Sequence, residues 1–195
     1  MIVLLHGISC SGKSTILERL SSRLPEDPNE DIFEPLPFWK CREYGNILHV
    51  ETYPIKYPPN QVFTGTEVIT AEKTIYDGES EVIHIPKYQE FCNGVAVGYE
   101  HTLIECDMYW RSEEIQWVLD NHESQVFLLS VDSKEELRRQ NERHSSPSEE
   151  EKILCKLQIN NIQSNINLMG RLNVRENNTI ESSLKIEDEI YAKVI

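Results

Sequence analysis

The sequence predicts an α/β fold: a three-layer α/β/α sandwich around a mostly parallel five-stranded sheet. Three observations lead there. Apolar runs of strand length at residues 2–6, 102–106 and 125–131 read as strands buried on both faces. Amphipathic helical patterns alternate with them, which is the rhythm of βαβ units. A glycine-rich turn separates the first strand from the first helix. With 195 residues the chain has room for one sizeable core, so residues 1–195 are read as a single domain.

The first strand leads through the glycine turn into a helix in which Ile16, Leu17, Leu20 and Leu24 recur at helical spacing and Pro25 supplies the stop. Ile32 and Phe33 form a short second strand ending at Glu34. From about residue 43 to 86 the prolines at 54, 58 and 59 break any helix, and Asp77-Gly78 predicts a tight turn between short strands; this stretch reads as an insertion or hairpin excursion. A short helix follows at about 88–97, then the strand at 102–106. A helical pattern around Ile115, Val118 and Leu119 leads to the strand at 125–131. Ser133 with Glu136 predicts a capping box ahead of a basic helix through Arg143, and Ser148 with Glu151 predicts another after Pro147. The second opens a long helix with Cys155, Ile159, Ile162, Ile166 and Met169 on one face, ended by Gly170. A last strand at 172–174 and a helix carrying Ile186, Ile190 and Val194 close the chain.

The turn after the first strand carries the chemistry. Gly7-Ile8-Ser9-Cys10-Ser11-Gly12-Lys13-Ser14, followed by Thr15, satisfies G-x-x-x-x-G-K-[ST] in the strand-to-helix context that a phosphate-binding loop requires. Its glycines let backbone N–H groups curl around phosphates at a helix N-terminus. Lys13 is placed to reach the β- and γ-phosphates of ATP, and the Ser14 hydroxyl to ligate Mg²⁺.

A formal charge of −14 repels nucleic acid and anionic membranes at long range, so a small acceptor is expected rather than a polymer. The five cysteines are widely spaced, without a C-x-x-C pair. The opening apolar run is too short for a signal peptide, so a cytoplasmic protein with free thiols is expected. A homodimer is compatible with this composition. No N-K-x-D segment is present for reading guanine, and the length is small for a motor. A phosphate-binding loop alone does not specify an acceptor, so a regulatory nucleotide-binding ATPase or switch stands as the alternative.

Arg138, Arg139 and Arg143 follow the fourth strand. Small kinases place such arginines in a lid, here at about 133–148, where closure brings guanidinium groups to the transferring phosphoryl. A solvated helix face with Glu–Arg pairs is the other reading of the same residues. On the acceptor side, Glu34-Pro35-Leu36-Pro37-Phe38-Trp39 resembles the E-P-x-x-x-W segment of deoxynucleoside kinases, including the herpesvirus thymidine kinases. The resemblance implies that Glu34 is the base near the 5′-hydroxyl and that Trp39 lines the nucleoside pocket. In that family an acidic residue and an arginine follow strand three; here the run is Glu105-Cys106-Asp107-Met108-Tyr109-Trp110-Arg111, with the arginine displaced. Glu105 and Asp107 stand as candidates for the metal or the acceptor. Residues 76–107 also resemble the layout of chloramphenicol phosphotransferase-like kinases, which implies a small-molecule O-kinase. In that stretch Gln89 is the polar residue whose amide can make paired hydrogen bonds to a base; a helix-surface residue without a role is its other reading. The expected reaction is γ-phosphoryl transfer from Mg-ATP to a hydroxyl of a nucleoside, a nucleoside monophosphate or, third, an antibiotic-like alcohol.

Overall fold

The computed structural model describes residues 1–8, 10–24, 39–52, 56–57, 69–76, 79–85, 88–106, 110–142 and 149–195. In chain order its elements are β1 (Ile2–Gly7), α1 (Lys13–Ser21), β2 (Trp39–Tyr44), β3 (Ile47–Thr52), β4 (Lys56–Tyr57), β5 (Ile69–Tyr76), β6 (Glu79–Ile85), α2 (Tyr88–Gly94), β7 (His101–Glu105), α3 (Ser112–Asn121), β8 (Ser124–Ser130), α4 (Ser133–Glu142), α5 (Glu149–Ser164), β9 (Leu172–Glu176) and α6 (Ile180–Val194).

Strand alternation sorts the core into two halves. Ile2 and Leu4 of β1, Leu48 and Val50 of β3, and Val126 and Leu128 of β8 face one side, where Phe91 of α2, Ile115 and Val118 of α3 and Ile162 of α5 cover them. Val3, Leu5, Leu103, Phe127 and Leu129 face the other, under Ile16, Leu17 and Leu20 of α1 and Ile186, Ile190 and Val194 of α6. Both faces of the sheet are thus buried, which is why its central strands read as continuous apolar runs. The architecture is the expected three-layer sandwich.

The main sheet has six strands in the order β2-β3-β7-β1-β8-β9. Five are parallel, and β2 runs antiparallel to β3. Four of the five expected strands correspond to β1, β7, β8 and β9; the expected second strand at residues 32–34 lies outside the described residues, and β2 and β3 are additions to the expectation. Residues 43–52, read from sequence as the start of the excursion, lie in this sheet. Their signal is weak because the buried run at residues 47–50 is only four residues long and includes the polar His49. Gly45, at φ 58°, and Asn46 make the two-residue connection that pairs Tyr44 with Ile47. A separate three-stranded sheet, β4-β6-β5, is formed by residues 56–57, 69–76 and 79–85 of that stretch. Its β5–β6 register brings Tyr76 opposite Glu79, the residues flanking Asp77-Gly78, which themselves lie outside the described residues.

Two helix boundaries differ from expectation. The cap of α4 is Asp132, whose Oδ1 accepts from the Lys134 and Glu135 N–H groups at 3.0 and 2.8 Å; a carboxylate serves the helix N-terminus in place of the expected Ser133. Helix α5 stops at Ser164, before Gly170. The Ser164 hydroxyl donates to the Asn160 carbonyl, and the Asn165 side chain accepts from Asn167 N–H, local bonds that compete with a further turn. Ile166 and Met169 consequently lie in the following turn and are exposed, while Leu168 takes the buried position. Residues 143–148, including Ser148 of the expected second cap, lie outside the described residues.

Candidate functional site

Strand β1 lies between β7 and β8, and the chain from α1 returns to the β3 side while β8 lies on the other. At such a switch point the loops leaving adjacent strands diverge and open a crevice at the carboxyl ends of the strands. The loop between β1 and α1 sits there. Gly7 (φ 156°) and Gly12 (φ 89°) adopt backbone that side chains disfavour. A Cβ at Gly7 would lie 2.6 Å from the Leu129 carbonyl oxygen, and one at Gly12 would lie 2.5 Å from Asn177 Nδ2, so both positions exclude a side chain. Cys10 is left-handed as well, at φ 65°. No side chain caps α1 at Gly12, so its first-turn amides keep their capacity for an anion.

Lys13 folds back across the loop, its Nζ donating to the Gly7 and Ile8 carbonyls at 3.1 and 3.2 Å. The Ser14 hydroxyl donates to Glu105 Oε1 at 2.8 Å. Glu105 ends β7, opposite Leu5 of β1 in the parallel register, so the sheet itself sets this carboxylate beside the loop. A serine hydroxyl and one carboxylate are hard oxygen donors of the number Mg²⁺ takes from protein when phosphates and water complete its shell. Ser14, nominated from sequence, and Glu105 fit that ion.

His6, at the end of β1, donates from Nε2 to the Trp110 carbonyl at 2.9 Å and fastens the segment after β7 to the strand that carries the loop. Burial, then the nearby Lys13 charge, push its pKa down to about 4, so the ring is neutral. Its Nδ1 is buried without a hydrogen-bond partner among the described residues.

Opposite the loop stands α4. Glu135 receives Arg138 through Nε and Nη2 and Arg139 through Nε, each at 2.7 Å. These bonds, Arg138's first, draw the Glu135 carboxyl down to about 2. Arg138 also pairs with Glu142 and is more than half exposed. Arg139 reaches the loop: Nη1 donates to the Cys10 carbonyl at 3.1 Å and Nη2 to the Asn177 carbonyl at 2.6 Å. The structure therefore brings Arg139 to the phosphate loop and leaves Arg138 in the Glu–Arg pairing of an exposed helix face.

The residues after β9 went unnoticed in the sequence. Asn177 is buried, its Nδ2 donating to the Ser11 carbonyl at 2.6 Å, and Asn178 Oδ1 accepts the Asp132 N–H at 2.8 Å. Thr179 caps α6 by exchanging bonds with Ser182. The available signal was Asn-Asn-Thr between the last strand and the last helix, an arrangement equally natural for a cap alone. Between α1, α4 and this turn lies a cleft of about 350 Å³, continuous with the loop and lined by Thr15, Arg19, Arg139, Asn178 and Ile180. Arg19 Nη1 is buried there without a partner among the described residues, a donor suited to an acceptor on a ligand.

On the acceptor side, Trp39 opens β2 opposite Thr52, at the same edge of the sheet as the carboxyl end of β3. Gln89 is exposed on α2. Ser9, Glu34, Asp107 and Arg143 lie outside the described residues. Among the described residues no group of three His, Cys, Asp or Glu side chains is placed to hold a metal ion, and no helix is long and apolar enough to cross a membrane.

No protein-family model matches the sequence, and no curated protein matches it. Among solved structures, the chain is similar to a guanylate kinase from Anaplasma phagocytophilum at 15% identity and a TM-score of 0.45, over 100% of this chain and 86% of that one.

Proposed function

We propose that the chain is an ATP-dependent phosphotransferase that moves the γ-phosphoryl of Mg-ATP to a hydroxyl or phosphate of a small nucleoside-like acceptor. One observation carries this reading: an uncapped helix N-terminus at a glycine loop, with Lys13 folded over that loop and Ser14 bonded to the carboxylate of Glu105. Those are the parts that phosphoryl transfer requires, since its catalysis is mostly positioning and charge stabilisation.

The loop amides and Lys13 would hold the β- and γ-phosphates, and the adjoining cleft is of a size for the nucleoside part. Ser14 and Glu105 would hold Mg²⁺, which when bound neutralises charge building on the phosphates. The acceptor oxygen forms the new P–O bond as the bond to ADP breaks. For a hydroxyl acceptor, its proton passes to Glu34, the base that the deoxynucleoside kinase resemblance nominates. Trp39 would contribute an aromatic wall for a base. Arg138 and Arg143 would supply lid charge by turning their side chains toward the transferring phosphoryl while Arg139 keeps its hold on the loop. Nucleosides come first as acceptors and nucleoside monophosphates second.

ADP release measured against a panel of nucleosides, nucleoside monophosphates and small alcohols tests the reading. Stimulation by nucleosides or their monophosphates is expected. A flat panel over slow basal hydrolysis contradicts it and favours the regulatory ATPase.

A further inference from the structure

We infer that Asn177 and Arg139 are positioning residues that set the backbone of the phosphate-binding loop by gripping two successive carbonyls from outside. This deepens the reading of that loop as a nucleotide site and rests on it. Arg139 Nη1 holds the Cys10 carbonyl and Asn177 Nδ2 holds the Ser11 carbonyl, at 3.1 and 2.6 Å. The two grips are tied together, because Arg139 Nη2 donates to the backbone carbonyl of Asn177 at 2.6 Å. Each is anchored in turn: Arg139 Nε to Glu135, and the Asn177 backbone N–H to the Ser130 carbonyl at 2.8 Å at the end of β8.

The consequence follows from peptide geometry. In a trans peptide the carbonyl and the next N–H lie in one plane and point in opposite directions. Holding the Ser11 carbonyl against Asn177 therefore turns the Gly12 N–H away from Asn177, toward the hollow of the loop. Holding the Cys10 carbonyl fixes the peptide that follows a left-handed residue, a backbone state that a non-glycine residue adopts at a cost and keeps only when its surroundings hold it. The Ser11 N–H is thereby kept on the Ile8 carbonyl, at 3.2 Å, closing the turn inside the loop. The loop's own sequence does not supply these restraints; α4 and the turn after β9 do. Gly12 is required in part because Asn177 approaches so closely.

The test combines calorimetric binding of Mg-ADP with amide hydrogen exchange of residues 8–14, on wild type and on Asn177→Ala, Asn177→Asp, Arg139→Ala and Arg139→Lys. Losing either grip should speed exchange at residues 8–14 in the ligand-free protein and weaken Mg-ADP about 10-fold, the worth of one buried hydrogen bond. Exchange in β7 and α6 should be unchanged. Asp is nearly isosteric with Asn but offers the Ser11 carbonyl no N–H, so Asn177→Asp should be at least as damaging as Ala. A wild-type-like Asn177→Asp beside a damaged Asn177→Ala would mean that Asn177 only fills space, and would overturn the inference. So would unchanged loop exchange in Arg139→Ala. Should the Asn177 variants not fold, the Arg139 pair decides, because the single nitrogen of a lysine does not span the three acceptors that the forked guanidinium reaches. If wild type binds no Mg-ADP, the nucleotide reading fails while the exchange measurements still judge the grip.

Discussion

At the scale of single residues, the Ser14 hydroxyl and the Glu105 carboxylate form the pair suited to the metal. Ser14 was nominated from the G-x-x-x-x-G-K-[ST] pattern, and the hydroxyl it supplies meets Glu105. If the pair holds the metal, Glu105→Gln keeps the hydrogen bond and removes the charge. The expected result is a rise of about 10- to 100-fold in the Mg²⁺ needed for half-maximal ADP formation, with little change in thermal stability. A metal titration curve identical to wild type would separate Glu105 from the ion. For Glu34, substitution by Gln should leave both dissociation constants near normal while kcat falls about 10²- to 10⁴-fold, the usual worth of a general base; a wild-type kcat removes it from the mechanism. The loop was legible because its residues are contiguous and each answers to phosphate chemistry. Asn177 was not, because its role depends on a contact 166 residues distant in sequence with a backbone carbonyl, which leaves no mark on local composition.

At the scale of elements, buried strands were plain and the edge was hidden. Strands β1, β7 and β8 are covered on both faces and so read as apolar runs, whereas β2 and β3 interleave Lys40, Arg42, Glu43, His49 and Glu51 with apolar residues and so do not read as buried strands. Helix α4 was legible as a helix but its cap was not, since Asp132 and Ser133 are both good caps and only the bond to Lys134 and Glu135 N–H decides between them. Asp132→Ala should therefore cost about 1 kcal/mol in urea unfolding. Ser133→Ala should cost a small fraction of that; the reverse order would restore the serine as the cap. Because α4 carries Arg139 to the loop, Asp132→Ala should also weaken nucleotide binding through a looser arginine, and a calorimetric titration of the variant reads this directly.

At the scale of the whole molecule, the sandwich buries His6 and His49 between sheet and helices. Burial foremost, with Lys13 beside His6 and Arg42 near His49, holds both pKa values down to about 4 against the usual 6.5. The unfolded chain binds a proton at each of these sites as pH falls below 6.5, while the folded chain does not until about 4. Their contribution to stability is thus whole above that window and is lost as pH drops through it, with a slope of up to about 1.4 kcal/mol per pH unit for each histidine. Urea unfolding at pH 7 and at pH 5 should show the loss, and His6→Gln with His49→Gln should flatten the slope; an unchanged slope would place the linkage in other groups. The same layering set the carboxyl ends of β1 and β7 side by side, and with them the loop and Glu105. The most direct measurement of the central claim follows the label of γ-labelled Mg-ATP in the presence of the acceptor panel, for wild type beside Lys13→Ala. Label is expected in a phosphorylated acceptor, with ADP in equal amount, and neither product in the variant. Label found only as free phosphate, or at the same rate in both proteins, would contradict it.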